Sequence, residues 1–489
     1  MSIIKWSRSF FSKKAEATQL EGLLVPQLLE AHLKENSESA ALNIDGECKL
    51  SFNEWDQKSL DIANGIIKAG GTPGRRIALM YDGMDWINYA IAYMAVLRTG
   101  GVAIHLNAHL PEAEVQMRLE ECSANWVIHS EHLPPVKNVR NFTTHSLSKG
   151  NYSPIKLTIS ADHLAEIRYT SGTTGRAKAY FLPHSNLTFG RTLENMHELS
   201  TSAGMLVPMT LGTSTSATIL TVALTSPVSM IICSPIDIER MGELIESKKI
   251  DSLMLTPHIA DEILSTRLNE RYDFSSIKLF ASASSPLKAS TVINLQRIAP
   301  QAKVQIACAQ SEASPALITG FFNPQRPHVV GIPSPITELK IMGKDKREKD
   351  VNELGEIWLR SPAPKRLFLN HPEINARILA DGWYRTGDLG RVNAHGELEF
   401  FDREIDVLWR NDQPISSVIL EGEILFHPKV KEVAVVGSPQ GKHQTIIAFV
   451  ILSDPGALQE VEKYCLNKLS ESQCPDSLKL VTTLPKTQN

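Results

Sequence analysis

Short apolar runs alternate with stretches of helical periodicity through the first third of the chain. "LDIANGIIKA" is followed by "RIALMY", "WINYAIAYMAVLRTG" by "VAIHLN", and "EAEVQMRLEECS" by "NWVIHS". Strands that return through helices pair in parallel, so this alternation predicts α/β layers with helices covering a largely parallel sheet. The polar, turn-rich "PPVKNVRNFTTHSLSKGNYSPIK" reads as a linker, after which "SPVSMIICS", "SLMLTP" and "IKLFASASS" supply buried strands for a second block. Past "HVVGIPSP" the texture becomes that of hairpins, and "LEGEILFHPKVKEVAVVGSPQGKHQTIIAFVIL" adds a helix and two strands. The expected fold is therefore α/β: a large N-terminal domain of layered α/β subdomains with a β-rich subdomain, then a small C-terminal α+β lid. The expected boundaries are an arm over 1–20, the large domain over 21–402 and the lid over 403–489.

Composition narrows the function. A net charge of −4 over 489 residues, with no long block of one sign, gives no footprint for nucleic acid and favours small-molecule chemistry. Six cysteines stand without a CxxC or the close spacing of a zinc site, which fits a reducing, cytoplasmic setting. The start, "MSIIKWSRSFFSKK", has four cations and no acid; it is either a targeting or membrane-touching arm or an ordinary frayed terminus. From Leu199 to Ile236 no residue is charged, but Pro208, Gly212 and Pro227 and the abundant Ser and Thr argue for a buried helix and strand rather than a transmembrane segment.

The stretch "YTSGTTGRAKAYFLPH" carries the densest chemistry. Gly172 and Gly175, interleaved with Ser171, Thr173 and Thr174, can turn backbone N–H groups and hydroxyls toward one anion, and Lys178 adds a point charge. The spacing does not fit GxxxxGK[ST], so a P-loop is disfavoured. "AEIRY" and "AKAYFL" read as strands on either side, with Ser185 as the cap of a helix "NLTFGRTLENMHEL".

Taken in order, "YTSGTTGRAK", "AQSEAS", "GEIWLRSP", "GWYRTGDLGRV" and "FDREIDVL" resemble the adenylate-forming superfamily of acyl-CoA synthetases, peptide-synthetase adenylation domains and firefly luciferases, along nearly the whole chain. The resemblance implies ATP and Mg2+ bound between large domain and lid, attack of a carboxylate on the α-phosphate, and an acyl-adenylate that passes to a thiol, CoA or phosphopantetheine. It implies further that Ser171, Gly172, Thr173, Thr174, Gly175 and Lys178 hold the phosphates. Ser311 would lie beside the α-phosphate, Glu312 would ligate Mg2+, and Asp388 and Arg403 would contact the ribose or phosphates; Thr173, Lys178 and Glu312 are the expected catalytic set. The implied partners are a carboxylic acid and an acyl carrier protein or partner synthetase. Taken singly, Asp388 could cap a turn, Glu312 could be a helix N-terminal charge, and Arg403 could pair with Asp402 or Asp406.

The chain departs from the family pattern at several positions. Cys308 and Ala309 stand where a Tyr-Gly pair stacks on adenine, and Ala283, Ser284 and Ser285 add side chains beside it. Ile405 replaces a charged hinge residue, and Asp412 matches a glycine that admits the thiol cofactor. The family ends with Pro-Lys-Thr and then Gly-Lys; by register that catalytic lysine falls beyond Asn489, and Lys486 occupies a non-catalytic basic position. These departures leave as alternatives a binding protein on the same fold, or an enzyme of the second half-reaction alone. "PMTLGTSTSATIL" lacks an acidic partner for an amine, which points to a neutral or apolar acyl group. Gly212, Ser214 and Ser216 either leave room for it or serve tight helix packing.

Overall fold

The computed structural model describes residues 22–170, 176–190, 204–226, 228–282, 287–438 and 444–485. Two large sheets stack about one buried helix. The first runs, edge to edge, Leu367–Phe368, Ala179–Pro183, Leu164–Tyr169, Val102–Asn107, Arg76–Tyr81, Trp126–His129 and Arg140–Phe142. From Leu164–Tyr169 onward its strands are parallel, and the helices Trp86–Arg98 and Glu112–Glu121 make the crossovers. The segment read as a linker is partly structural: Arg140–Phe142 is the last parallel strand, and Thr144–Leu147 is a one-turn helix capped by Thr143. Its high polarity reflects an edge position with one face in solvent.

The second sheet has the edge strand Cys48–Ser51, antiparallel to its neighbour, and then the parallel strands Ala40–Ile44, Met230–Cys233, Met205–Pro208, Ser252–Leu255, Leu279–Ser282 and Lys303–Cys308. It continues antiparallel through Ile318–Phe321, Val329–Pro333, Leu398–Arg403, Tyr384–Val392, Gly355–Arg360 and Glu338–Met342, the β-rich part. Helix Trp86–Arg98 is apolar on every side and eleven of its thirteen residues are buried, because it lies between the two sheets. The fold is thus mixed α/β with a large N-terminal part and a small C-terminal one. The latter holds helices Ser417–Leu425 and Leu458–Lys468 over strands Val430–Gly437, Ile446–Leu452 and Ser477–Leu480. The expected break after Asp402 falls at the end of strand Leu398–Arg403.

The uncharged stretch forms strand Met205–Pro208, helix Ser214–Ala223 and strand Met230–Cys233. No helix of the described residues is long and apolar enough to cross a membrane. Ser185 is the second residue of helix His184–Thr188 rather than a cap; its hydroxyl donates to Asp162 Oδ1 at 2.8 Å. The remainder of that expected helix, beyond Gly190, lies mostly outside the described residues, as do the arm over 1–20, Ser171, Gly172, Thr173, Thr174, Gly175, Ala283, Ser284, Ser285 and Lys486.

Candidate active site

The mouth of the glycine-rich loop is fixed by its flanks. Leu164–Tyr169 and Ala179–Pro183 pair antiparallel with Tyr169 opposite Ala179. Beyond that pair, Thr170 N donates to Lys178 O at 3.0 Å and Lys178 N donates to Thr170 Oγ1 at 3.1 Å. The chain between can only leave and re-enter at one point, beside Lys178. The Lys178 ammonium forms no ion pair among the described residues, and its charge reaches Glu373 of the short helix Pro372–Asn375.

A run of contacts carries that strand to the other expected residues. Leu367–Phe368 pairs with Ala179–Pro183, and just before it the buried Arg366 donates through Nε to Asn186 Oδ1 at 3.0 Å and through Nη1 to Ser311 O at 3.3 Å. Asn186 Nδ2 in turn donates to Pro364 O at 2.7 Å and Ser314 O at 3.1 Å. The turn holding Ser311 and Glu312 is therefore pinned to the helix that follows the Lys178 strand. Glu312 belongs to this turn and not to a helix N-terminus. Its carboxylate makes no hydrogen bond or ion pair among the described residues, and Glu312 lines a small cleft with Tyr384, Ile378 and Arg366. Burial, and then the charge of Glu312, push the Tyr384 hydroxyl above its ordinary value.

On its other side the turn reaches Asp388. Gln310 Nε2 donates to Asp388 Oδ2 at 2.6 Å, and Arg403 Nε lies 3.8 Å from Asp388 Oδ1 across the strand pair. Burial raises the Asp388 carboxyl above its usual range, against the opposing charges of Arg403 and Arg377 and the Gln310 bond. Arg403 thus pairs with Asp388 rather than with Asp402 or Asp406. Asp402 is buried and accepts from Ser417 N at 2.6 Å and Ser417 Oγ at 2.9 Å, tying the strand end to the first helix of the C-terminal part. Cys308 ends its strand close by: burial and the Asp388 charge push its thiol up to about 11, so it is neutral and weakly reactive at pH 7. Ile405 is 85% exposed at the outside of the turn after Arg403.

Lys178, Ser311, Glu312, Asp388 and Arg403 thus lie along one connected series of segments, and sequence reasoning missed the residues that connect them. Gln310 stood inside the quoted "AQSEAS"; Asn186 and Arg366 carried no local signal. Mg2+ asks for few carboxylates when phosphate oxygens complete its shell. Glu312, an oxygen donor of the pinned turn unengaged among the described residues, fits that requirement. Among the described residues no cluster of three or more His, Cys, Asp or Glu could hold a metal alone.

Layered α/β sheets, a β-rich extension and a small α+β part entered beside the Asp388–Arg403 pair define the adenylate-forming class of enzymes. The chain belongs to the AMP-binding enzyme family, which matches residues 29–367, and the C-terminal domain of AMP-binding enzymes matches residues 420–489. A feruloyl-CoA synthase of Amycolatopsis sp is 25% identical over 460 residues, covering 90% of this chain and 92% of the relative. An anthranilate CoA ligase solved with anthranoyl-AMP superposes with a TM-score of 0.82 at 21% identity, spanning 96% of both chains. An O-succinylbenzoate coenzyme A synthetase of Bacillus subtilis, solved with ATP and magnesium, gives a TM-score of 0.79 at 20% identity over 95% of this chain and 97% of that one.

Proposed function

We propose that the chain is an AMP-forming acid–thiol ligase: it activates a carboxylic acid with ATP as an acyl-adenylate, releases pyrophosphate and passes the acyl group to a thiol, CoA or the phosphopantetheine of a carrier protein. The observation that carries this reading is the pinned turn Gln310–Ser314, which ties Asp388 and Arg403 on one side to the Lys178 strand on the other. In it Asp388, an acceptor-only carboxylate, takes the ribose hydroxyls, with Arg403 beside it. Ser171, Gly172, Thr173, Thr174, Gly175 and Lys178 hold the β- and γ-phosphates, and Ser311 lies at the α-phosphate. Glu312 is the residue that would hold Mg2+, and the ion would supply neutralisation of the charge that builds on the leaving pyrophosphate. The work left to the protein is alignment and charge stabilisation, which fixed donors on a rigid turn supply.

A non-catalytic binding role is not favoured, because the relatives that match along nine-tenths of the chain are named as a CoA synthase and ligases. The test is pyrophosphate–ATP exchange dependent on an added acid, followed by thioester formation with CoA. Exchange that Asp388→Ala and Glu312→Gln both abolish supports the reading. Absence of exchange across aromatic, short-chain and long-chain acids overturns it.

A further inference from the structure

Strand Leu164–Tyr169, which leads directly into the glycine-rich loop, carries two opposite charges on one face inside the protein. Glu166 is 0% and Arg168 2% exposed. Arg168 Nε is ion-paired with Glu166 Oε2, and the Tyr93 hydroxyl donates to Glu166 Oε1 at 2.5 Å. His105 Nε2 lies 3.4 Å from the same carboxylate, and its Nδ1 shares a 2.7 Å hydrogen bond with the Tyr89 hydroxyl. Two apolar residues would fill this layer without the desolvation penalty of a buried ion pair, so the pair has a role other than packing.

Its outer side identifies that role. Arg168 Nη1 donates to Thr218 Oγ1 at 2.6 Å and to Ser214 O at 3.2 Å, while the buried Nη2 has no partner among the described residues. On helix Ser214–Ala223 the residues Ser214, Thr218 and Val222, at i, i+4 and i+8, keep accessible surface, whereas Ser216, Ala217, Ile219 and Leu220 are buried. The guanidinium therefore sits against Ser214 and Thr218, two residues of this partly accessible stripe. The Tyr180 hydroxyl, from the other strand flanking the glycine-rich loop, shares a 2.6 Å hydrogen bond with Ser214 Oγ.

We infer that Arg168 determines acid specificity: its free Nη2 donates to a neutral oxygen acceptor, a carbonyl, hydroxyl or ether carried by the acid away from the reacting carboxylate. This rests on the proposed ligase function and names the substrate class for it. A plain hydrocarbon chain would leave a buried donor unsatisfied. A second carboxylate is disfavoured by charge balance. Burial opposes ionisation of Glu166, yet Arg168 and His105 hold it well below the usual range, so it already cancels Arg168. Burial also lowers His105, against the pull of Glu166, leaving the cluster neutral as a whole.

The test compares acids matched in size with and without one oxo, hydroxyl or ether oxygen, together with dicarboxylates, both by calorimetric binding and by acid-dependent pyrophosphate exchange. Wild-type protein is expected to prefer the acceptor-bearing acids by about tenfold or more, since a site built for a hydrogen bond rejects the analogue lacking it. Arg168→Met and Thr218→Val are expected to reduce that preference to within about twofold, with KM for the acid moving more than KM for ATP. Thr218→Val, a near-isosteric change on a partly accessible helix face, decides the matter if Arg168→Met does not fold. No preference in wild type, or a preference that the folded variants retain, overturns the inference. A binding preference without any exchange upholds the subsite and overturns the ligase reading instead.

Discussion

Asp388 and Arg403 face each other across the antiparallel strands Tyr384–Val392 and Leu398–Arg403, Oδ1 and Nε 3.8 Å apart, at the point where the large part of the chain gives way to the small one. The two are unequal. The Asp388 side chain is only 13% exposed and is bonded to Gln310, while the Arg403 side chain is 52% exposed. Asp388→Ala is expected to weaken Mg-ATP binding by ten- to a hundredfold, from the ~1.5–3 kcal/mol of a hydrogen bond to a charged group. Arg403→Met is expected to cost no more than about 1 kcal/mol in the same titration. Because burial raises the Asp388 carboxyl against the opposing charge of Arg403, kcat/KM should fall on acidification through a value above the ordinary carboxylate range. Removing Arg403 raises that value further, so the acid limb of the Arg403→Met profile moves to higher pH; an unmoved limb would assign it to another group.

Asn186 is the joint between the Lys178 strand and the Ser311–Glu312 turn. Its side chain spends both donors on Ser314 O and Pro364 O and its acceptor on Arg366. Asn186→Ala leaves these buried groups unpaired at ~1–3 kcal/mol. The expected result is a melting temperature lower by several degrees together with a reduced kcat, since the turn loses its anchor. Asn186→Asp keeps only the acceptor and should recover part of the stability. Full activity in a folded Asn186→Ala protein would show that the turn is held elsewhere.

His184 couples stability to pH. It is fully buried, its Nδ1 accepts from Val25 N at 3.1 Å at the start of helix Val25–Glu35, and burial depresses its pKa to about 4. Unfolded, the imidazole titrates near ~6.5. Between those values the unfolded chain binds the proton and the folded one does not, so stability falls as pH falls through this window, by about 3 kcal/mol in total. His184→Asn retains an acceptor for Val25 N without a titrating group. Urea midpoints measured from pH 7 to 4 should decline less steeply for the variant; parallel curves would exclude His184 as the source.

The features that were legible in the sequence were those written locally. Alternating apolar runs gave the parallel strands and the helix between the sheets, and the flanks of the glycine-rich loop were identified as strands because "AEIRY" and "AKAYFL" have strand texture. Asp388, Glu312 and Arg403 stood in short motifs, and the structure joins their segments. Asn186 and Arg366 were illegible because they are 180 residues apart and each is an ordinary polar residue in its own window. The Glu166–Arg168 pair was hidden differently. Charges at i and i+2 of a strand usually mark its solvent face, and only the packing of helix Trp86–Arg98 against that face shows them to be internal. Two of the small residues in "PMTLGTSTSATIL" serve packing: Ser216 closes a capping box with Thr213, and a Cβ on Gly212 would stand 2.4 Å from Asn107 Cα.

The hairpin Leu408–Arg410 with Gln413–Ile415 turns on two residues, Asn411 and Asp412, both left-handed at φ 52° and 61°. A two-residue turn of this hand favours Asn-Gly, since glycine reaches positive φ without a Cβ clash. Asp412 therefore keeps a conformation for which glycine is better suited, at the position where the family resemblance places a glycine that admits the thiol. Asp412→Gly should leave the fold intact, with a stability change within about 1 kcal/mol. Pyrophosphate exchange should be unaltered, because Asp412 lies outside the turn and strands that hold Glu312 and Asp388. Thioester formation with CoA should quicken, because a side chain and a negative charge are removed from the approach of an anionic cofactor. Measuring the two half-reactions separately makes the outcome decisive. A faster second step with an unchanged first assigns Asp412 to the thiol approach, whereas equal slowing of both would mean that the hairpin supports the C-terminal part as a whole.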